Sequence, residues 1–300
     1  MDSAENLKTV LEYLPAAVRA ALQKLEPARL SGLQEIRLRA GRPVALTMPG
    51  CTELLARDGL TRNPAAALIP SPEDLSHSLQ AVLSYSVYSH QHDLAQGYVT
   101  IRGGNRVGIC GSAVRQGEDV QTVRGVSGMN FRIAGEVRGA ASSVFRQLGE
   151  CGGVLIAGKP GSGKTTFLRD YCRLLGERYR TAVVDERGEL AAVYRGVPQH
   201  DVGLMTDVLD GYPRGQGIRT ALRVLTPEHI LCDELSSPED MAAVLDANGS
   251  GVQLTASVHA GSFEELRERA CLREVLQAGV FRHCVMLGGV GQVQAVRRIG

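Results

Sequence analysis

Three hundred residues can bury about three quarters of the unfolded chain's surface, enough for one large domain or two. With 44% hydrophobic and 22% charged residues and a net charge of +1, the composition is that of a soluble globular protein; it gives no global field for nucleic acid or an anionic membrane. No apolar run of about 18 residues occurs, which excludes a spanning helix, and Met1-Asp2-Ser3-Ala4-Glu5 lacks the basic and apolar parts of a signal peptide, so a cytoplasmic location is expected.

Residues 7 to 26 read as helix, with Leu11, Leu14, Val18, Leu22 and Leu25 at helical spacing and Pro15 starting a new segment. From Leu33 to Leu46 apolar and basic residues alternate (Ile36, Arg37, Leu38, Arg39), as in a strand with one wet face. A helix follows at about 72 to 83, with Leu75, Leu79, Val82 and Leu83 on one face. His90 and His92 have no third zinc ligand nearby and read as polar residues of a helix-to-loop segment. Tyr98-Val99-Thr100-Ile101-Arg102, Gly103-Gly104 and Arg106-Val107-Gly108-Ile109-Cys110 predict a β-hairpin. These elements make an α+β domain over residues 1–128.

Residues 129–300 have a different rhythm. Val154–Ala157, Thr181–Asp185, Ile230–Asp233 and Val252–Val258 are short apolar runs separated by helical segments. That is the signature of a mostly parallel sheet covered on both faces. Ser237 is placed to cap a helix over 238 to 247 with Pro238 in its first turn, and Ser262-Phe263-Glu264-Glu265 reads as a capping box. The seven cysteines (51, 110, 151, 172, 232, 271 and 284) are odd in number and form no CxxC pair; they read as thiols in a reducing compartment.

The chemistry concentrates at strand ends. The run Gly158-Lys159-Pro160-Gly161-Ser162-Gly163-Lys164-Thr165, followed by Thr166, fits G-x-x-x-x-G-K-[ST] between an apolar strand and a helix. Glycines let backbone N–H groups converge on phosphate oxygens at the positive end of a helix. Lys164 is expected to reach the β- and γ-phosphates of a bound nucleotide, and the Thr165 hydroxyl to ligate Mg²⁺. Asp233 is a candidate to hold Mg²⁺ through water, and Glu234 to polarise the attacking water. Asp185 and Glu186, also at a strand's carboxyl end, are candidates to accept a proton from that water or position it, and the sequence does not choose between them. His259, at the tip of the next strand, is a candidate γ-phosphate sensor. Arg219, Arg223, Arg102, Arg106 and Arg132 are candidates for a guanidinium delivered from a neighbouring subunit.

Taken together the motifs resemble the stage III sporulation AA family of endospore-forming bacteria, relatives of type II and type IV secretion ATPases. The marks are Leu33–Arg39 with Gly41-Arg42-Pro43, Gly97–Ile101 with Gly103-Gly104, Arg106-Val107-Gly108, and Asn130–Ala134. They continue through the glycine loop, Val184-Asp185-Glu186-Arg187, Asp207–Gly211, Asp233-Glu234-Leu235 and Ser257-Val258-His259. The resemblance implies a RecA-like P-loop ATPase core with a smaller N-terminal α+β domain, using ATP and Mg²⁺. It puts Asp185-Glu186 on the secretion ATPases' acidic box, Glu234 on their Walker B acid and His259 on their histidine box. It also implies a homo-oligomeric ring, a hexamer in the relatives, powering or gating a channel complex between mother cell and forespore from the mother-cell side and docking there on membrane proteins. Two positions depart from the family pattern: Ser236-Ser237 stands where Gly plus a basic residue is expected, and Ala260 follows His259 where Gly is common. Two rival readings are a nucleotide-dependent nucleic-acid binder and a ring component that holds ATP without hydrolysing it. Against the first stand the low net charge and only five Phe.

Overall fold

The computed structural model describes residues 3–30, 32–84, 91–148 and 153–299. They form two compact units, residues 1–136 and 137–300.

The first unit is α+β. Helices α1 (Ser3–Leu11), α2 (Ala16–Gln23) and α3 (Pro27–Leu30) precede strands β1 (Glu35–Arg39), β2 (Arg42–Met48), β3 (Cys51–Ala56) and β4 (Gly59–Thr61). After α4 (Pro72–Val82) and α5 (Gln91–Gln96) come β5 (Tyr98–Ile101), β6 (Asn105–Gln116) and β7 (Asp119–Arg132). The seven strands make one antiparallel sheet in the order β4-β3-β2-β1-β7-β6-β5. Its apolar face takes Ile36, Leu38, Val107 and Phe131 into a core with Val10, Val18, Leu22 and Leu75 from the helices.

Two expectations change here and a third holds. The alternating run from Leu33 to Leu46 is two strands, β1 and β2, because the chain reverses at Gly41 with φ +68°. Pro15 does open a second helix, as the N-cap of α2. The expected boundary at 128 falls inside β7, which pairs with β1 as far as Arg132, so the unit closes at residue 136. His90 lies outside the described residues, as does the side chain of His92.

The second unit is a doubly wound α/β layer. Its elements are α6 (Ser142–Leu148), β8 (Val154–Gly158), α7 (Lys164–Gly176), β9 (Thr181–Asp185), β10 (Thr206–Asp210), α8 (Arg214–Val224) and β11 (His229–Cys232). They continue with α9 (Pro238–Gly249), β12 (Gln253–His259), α10 (Phe263–Glu268), α11 (Ala270–Gln277), β13 (His283–Gly289) and β14 (Gln292–Arg298). The sheet order is β10-β9-β11-β12-β8-β13-β14, parallel except for β14 against β13. Successive residues of a strand point to opposite faces. Leu155 and Ala157 of β8 therefore enter the core that includes Ala243 and Val244 of α9, while Val154 and Ile156 enter the one that includes Phe167 and Leu168 of α7. This two-sided burial is why these strands read as unbroken apolar runs. Ser237 caps α9 in a capping box with Asp240; Ser262 caps α10, and Glu265 reaches back to the N–H of Gly261. Among the described residues six cysteines are free, and no helix is long and apolar enough to cross a membrane.

Candidate functional site

Four neighbouring parallel strands, β9-β11-β12-β8, present their carboxyl ends along one edge of the second unit's sheet. Asp185 ends β9, Asp233 and Glu234 follow β11, His259 ends β12 and Gly158 ends β8. The register sets His259 directly beside Gly158. The crevice outside such carboxyl ends is where open α/β sheets bind ligands.

The loop from Gly158 to Gly163 connects β8 to α7 with little room to spare. A Cβ on Gly158 would stand 2.4 Å from Ser162 Oγ, and one on Gly163, where φ is +87°, would stand 2.8 Å from the Gly291 nitrogen. The Gly291 N–H donates to the Ser162 carbonyl at 3.1 Å, so the β13–β14 turn braces the loop. Lys159, Pro160 and Gly161 form its exposed rim, Ser162 and Lys164 are buried, and Thr165 and Thr166 are half-buried in the first turn of α7. All three ammonium hydrogens of Lys164 have acceptors: the carbonyls of Gly158 at 3.0 Å and Lys159 at 3.1 Å, and His259 Nδ1 at 3.0 Å. Burial lowers the Lys164 pKa, and the negative charges of Asp233 and Glu234 work in the opposite direction.

Asp233 is held by two hydroxyls. Thr165 donates to its Oδ2 at 2.8 Å and Ser257 donates to its Oδ1. Ser257 Oγ in turn accepts the N–H of Glu234 at 2.9 Å. Glu234 adopts φ +54°, unusual for a residue with a Cβ. Its Oε1 lies 2.6 Å from His259 Nε2 and its Oε2 accepts from Arg187 at 2.6 Å. An ammonium can only donate, so His259 Nδ1 accepts from Lys164 and the ring proton sits on Nε2, donated to Glu234.

The structure separates the two acids after β9. Asp185 is buried, and its carboxylate accepts the backbone N–H groups of Glu189 at 2.8 Å, Leu190 at 3.0 Å and Ala191 at 2.8 Å. Asp185 is thus an anchor for the following loop, and its expected role as a proton acceptor is withdrawn. Asp185→Ala strands these three donors and is expected to cost about 2–4 kcal/mol in a denaturant titration; a loss under about 1 kcal/mol would refute the anchoring role. Glu186 is partly exposed and meets Arg214 at 2.6 Å. Arg214 is 7% exposed and also meets Asp240 at 3.1 Å. Burial works to raise the Asp240 pKa, but the N–H groups of Ser237 and Ser236 and the charge of Arg214 outweigh it, and the carboxyl is held below its usual range.

The candidate trans arginines all have partners in their own unit. Arg219 meets Asp246 at 3.0 Å and Arg223 lies 3.5 Å from Thr220 Oγ1. Arg102 meets Glu12 at 2.8 Å, Arg132 lies 3.7 Å from Glu35, and Arg106 lies 4.6 Å above the Tyr98 ring.

The family described as "Sporulation stage III, protein AA" matches residues 4–300. The chain belongs to the stage III sporulation protein AA family. Stage III sporulation protein AA of Bacillus subtilis (strain 168) is 34% identical over 283 residues, covering 92% of this chain and 89% of that relative. Among solved structures, the pilus retraction motor PilT with bound ADP aligns with TM-score 0.61 and 17% identity, covering 88% of this chain and 78% of PilT. The Legionella pneumophila ATPase DotB aligns with TM-score 0.55 and 17% identity, covering 88% of this chain and 74% of DotB. At such identities the likeness concerns fold: this sporulation-family chain has the α/β architecture of the secretion and pilus ATPases.

The sequence reading gives no role to four residues of this edge, Ser257, Arg187, Arg214 and Asp240, although Ser257 and Arg187 lie within the marks of the family resemblance. Ser257 had a signal, because it lies two residues before His259 and so faces the same side of β12. Arg214 had one as well, since a cation in the first turn of a helix opposes the helix dipole and calls for an acid beside it. Ser236 and Ser237 donate their N–H groups to Asp240.

Proposed function

We propose that this chain binds Mg²⁺ and ATP at the Gly158–Thr165 loop and hydrolyses ATP, as the motor of a sporulation channel complex. The observation that carries the reading is the meeting of Thr165 and Asp233 at 2.8 Å beside the buried Lys164, at the N-terminus of α7. The loop suits phosphate oxygens: its glycines leave no room for side chains at Gly158 and Gly163, and the buried Ser162 hydroxyl has no protein partner. Thr165 and Asp233 supply the hard oxygen donors that Mg²⁺ takes. When bound, Mg²⁺ neutralises charge on the phosphates.

The chain's own groups then divide the work. Lys164 trades a present acceptor for phosphate oxygens, and Glu234 orients the attacking water and takes its proton. Glu186 lies along the same edge, held by Arg214, to help place that water, and His259 reads the γ-phosphate. Phosphoryl transfer asks mainly for positioning and charge stabilisation, which these groups provide. PilT is described as a retraction motor with bound ADP and DotB as an ATPase, and family membership supplies the sporulation setting. The working form on this reading is a homo-oligomeric ring, a hexamer, on the cytoplasmic mother-cell side of membrane partners. In that ring a neighbour's arginine, drawn from Arg102, Arg106, Arg132, Arg219 and Arg223, completes each site.

A trans arginine is worth about 10³ to 10⁵ in rate. Specific activity should therefore climb with protein concentration, and an arginine variant should recover activity when mixed with Lys164→Ala subunits. A specific activity independent of concentration over the whole accessible range would leave a self-contained site and remove the ring from the proposal.

A further inference from the structure

Arg187 follows Glu186 on the loop that Asp185 anchors, and nothing in the hydrolytic scheme above uses it. Its side chain is 61% exposed, yet its Nη1 lies 2.6 Å from Glu234 Oε2. The other oxygen of the same carboxylate is held by His259 Nε2 at 2.6 Å, and the Glu234 backbone is tied through its N–H to Ser257 Oγ at 2.9 Å. Both oxygens of Glu234 are therefore engaged before any substrate arrives. A carboxylate holding a charged hydrogen bond on each oxygen is a poorer acceptor for a water proton than one with an oxygen free. The engagement continues inward: His259 Nδ1 takes a hydrogen from Lys164, the group placed to grip phosphate. One unbroken chain of contacts runs from a solvent-exposed guanidinium through Glu234 and His259 to Lys164.

We propose that Arg187 is a positioning residue that restrains Glu234 in the resting state, so that hydrolysis requires its withdrawal from the carboxylate. This deepens the hydrolytic reading and rests on Glu234 being the water-activating acid. Phosphate oxygens that draw Lys164 away from His259 free Nδ1 and loosen the imidazole's hold on Oε1, while Arg187 still pins Oε2. Because Arg187 is mostly in solvent, a carboxylate presented by a neighbouring surface competes for it directly, and the pin is released from outside the crevice. The contact is partly screened, so the restraint is modest and reversible.

The experiment compares steady-state ATP hydrolysis and Mg²⁺·ATP binding for the full chain, Arg187→Ala and Arg187→Lys at one protein concentration. Removing the pin is expected to raise kcat about three- to tenfold with KM and Kd within about twofold of the parent, and Arg187→Lys, which keeps a charged donor, should return kcat most of the way. A purely structural role would lower activity and thermal stability together, and Lys would not restore the restraint. A kcat for Arg187→Ala equal to or below the parent's, with the parent active, overturns the restraint and leaves the ATPase reading standing. Turnover by Arg187→Ala from a parent that shows none supports it. Absence of turnover in all three proteins overturns the restraint and the hydrolytic reading together.

Discussion

Lys164→Ala is expected to weaken ATP binding at the glycine loop and to abolish the proposed hydrolysis. In the ligand-free chain the ammonium already satisfies three acceptors, so the alanine variant loses one charged partner from a site that is otherwise complete. A charged hydrogen bond is worth about 1.5–3 kcal/mol, and Lys164 is placed to make more than one to phosphate. The dissociation constant for Mg²⁺·ATP is expected to rise by about 10² or more, read by calorimetry or by a fluorescent nucleotide. The mutation relieves a buried cation but leaves three acceptors without their donor, so a folded state must be verified alongside the binding measurement. Unchanged nucleotide affinity in a folded Lys164→Ala protein would move the binding site elsewhere.

Glu234→Gln separates binding from chemistry. The amide is nearly isosteric with the carboxylate but cannot take a proton from water, so kcat is expected to fall about 10²- to 10⁴-fold. Nucleotide affinity should stay within about threefold, because Lys164, Thr165 and Asp233 are untouched. The positive φ of Glu234 and its N–H bond to Ser257 are backbone features and survive the change. A variant that keeps parental turnover would strip Glu234 of its role and pass it to Glu186.

Much of this site is legible in the sequence because its parts are local. The glycine loop, the apolar strand before it, and the capping signals at Ser237 and Ser262 each lie within a few residues and carry their own geometry. The strand ends at Asp185, Asp233 and His259 follow from where the apolar runs stop. What escapes the sequence depends on contacts across distance. The side chains of Arg187 and Glu234 meet across 47 residues of chain and those of Arg214 and Asp240 across 26, and no periodicity encodes either pairing. Asp185 shows the converse limit: an acid at a strand end looks the same in sequence whether its oxygens face a ligand or fold back on the next loop's N–H groups. In the first unit, alternation describes β1 but hides the reversal into β2, because the tight turn at Gly41 is short and Val44, Ala45 and Leu46 beyond it are buried in succession. Strands β13 and β14 go unread because the turn between them is short and glycine-rich and the last strand is only half-buried.

The central claim is that this chain hydrolyses ATP at the edge formed by Gly158–Thr165, Asp233 and Glu234. Its most direct test is phosphate release from ATP by the purified protein with Mg²⁺, beside Lys164→Ala prepared in the same way. The parent is expected to release phosphate, with the release lost on chelating Mg²⁺ and absent from Lys164→Ala. Equal release by the parent and Lys164→Ala, or none by either the parent or Arg187→Ala at any protein concentration, would contradict it.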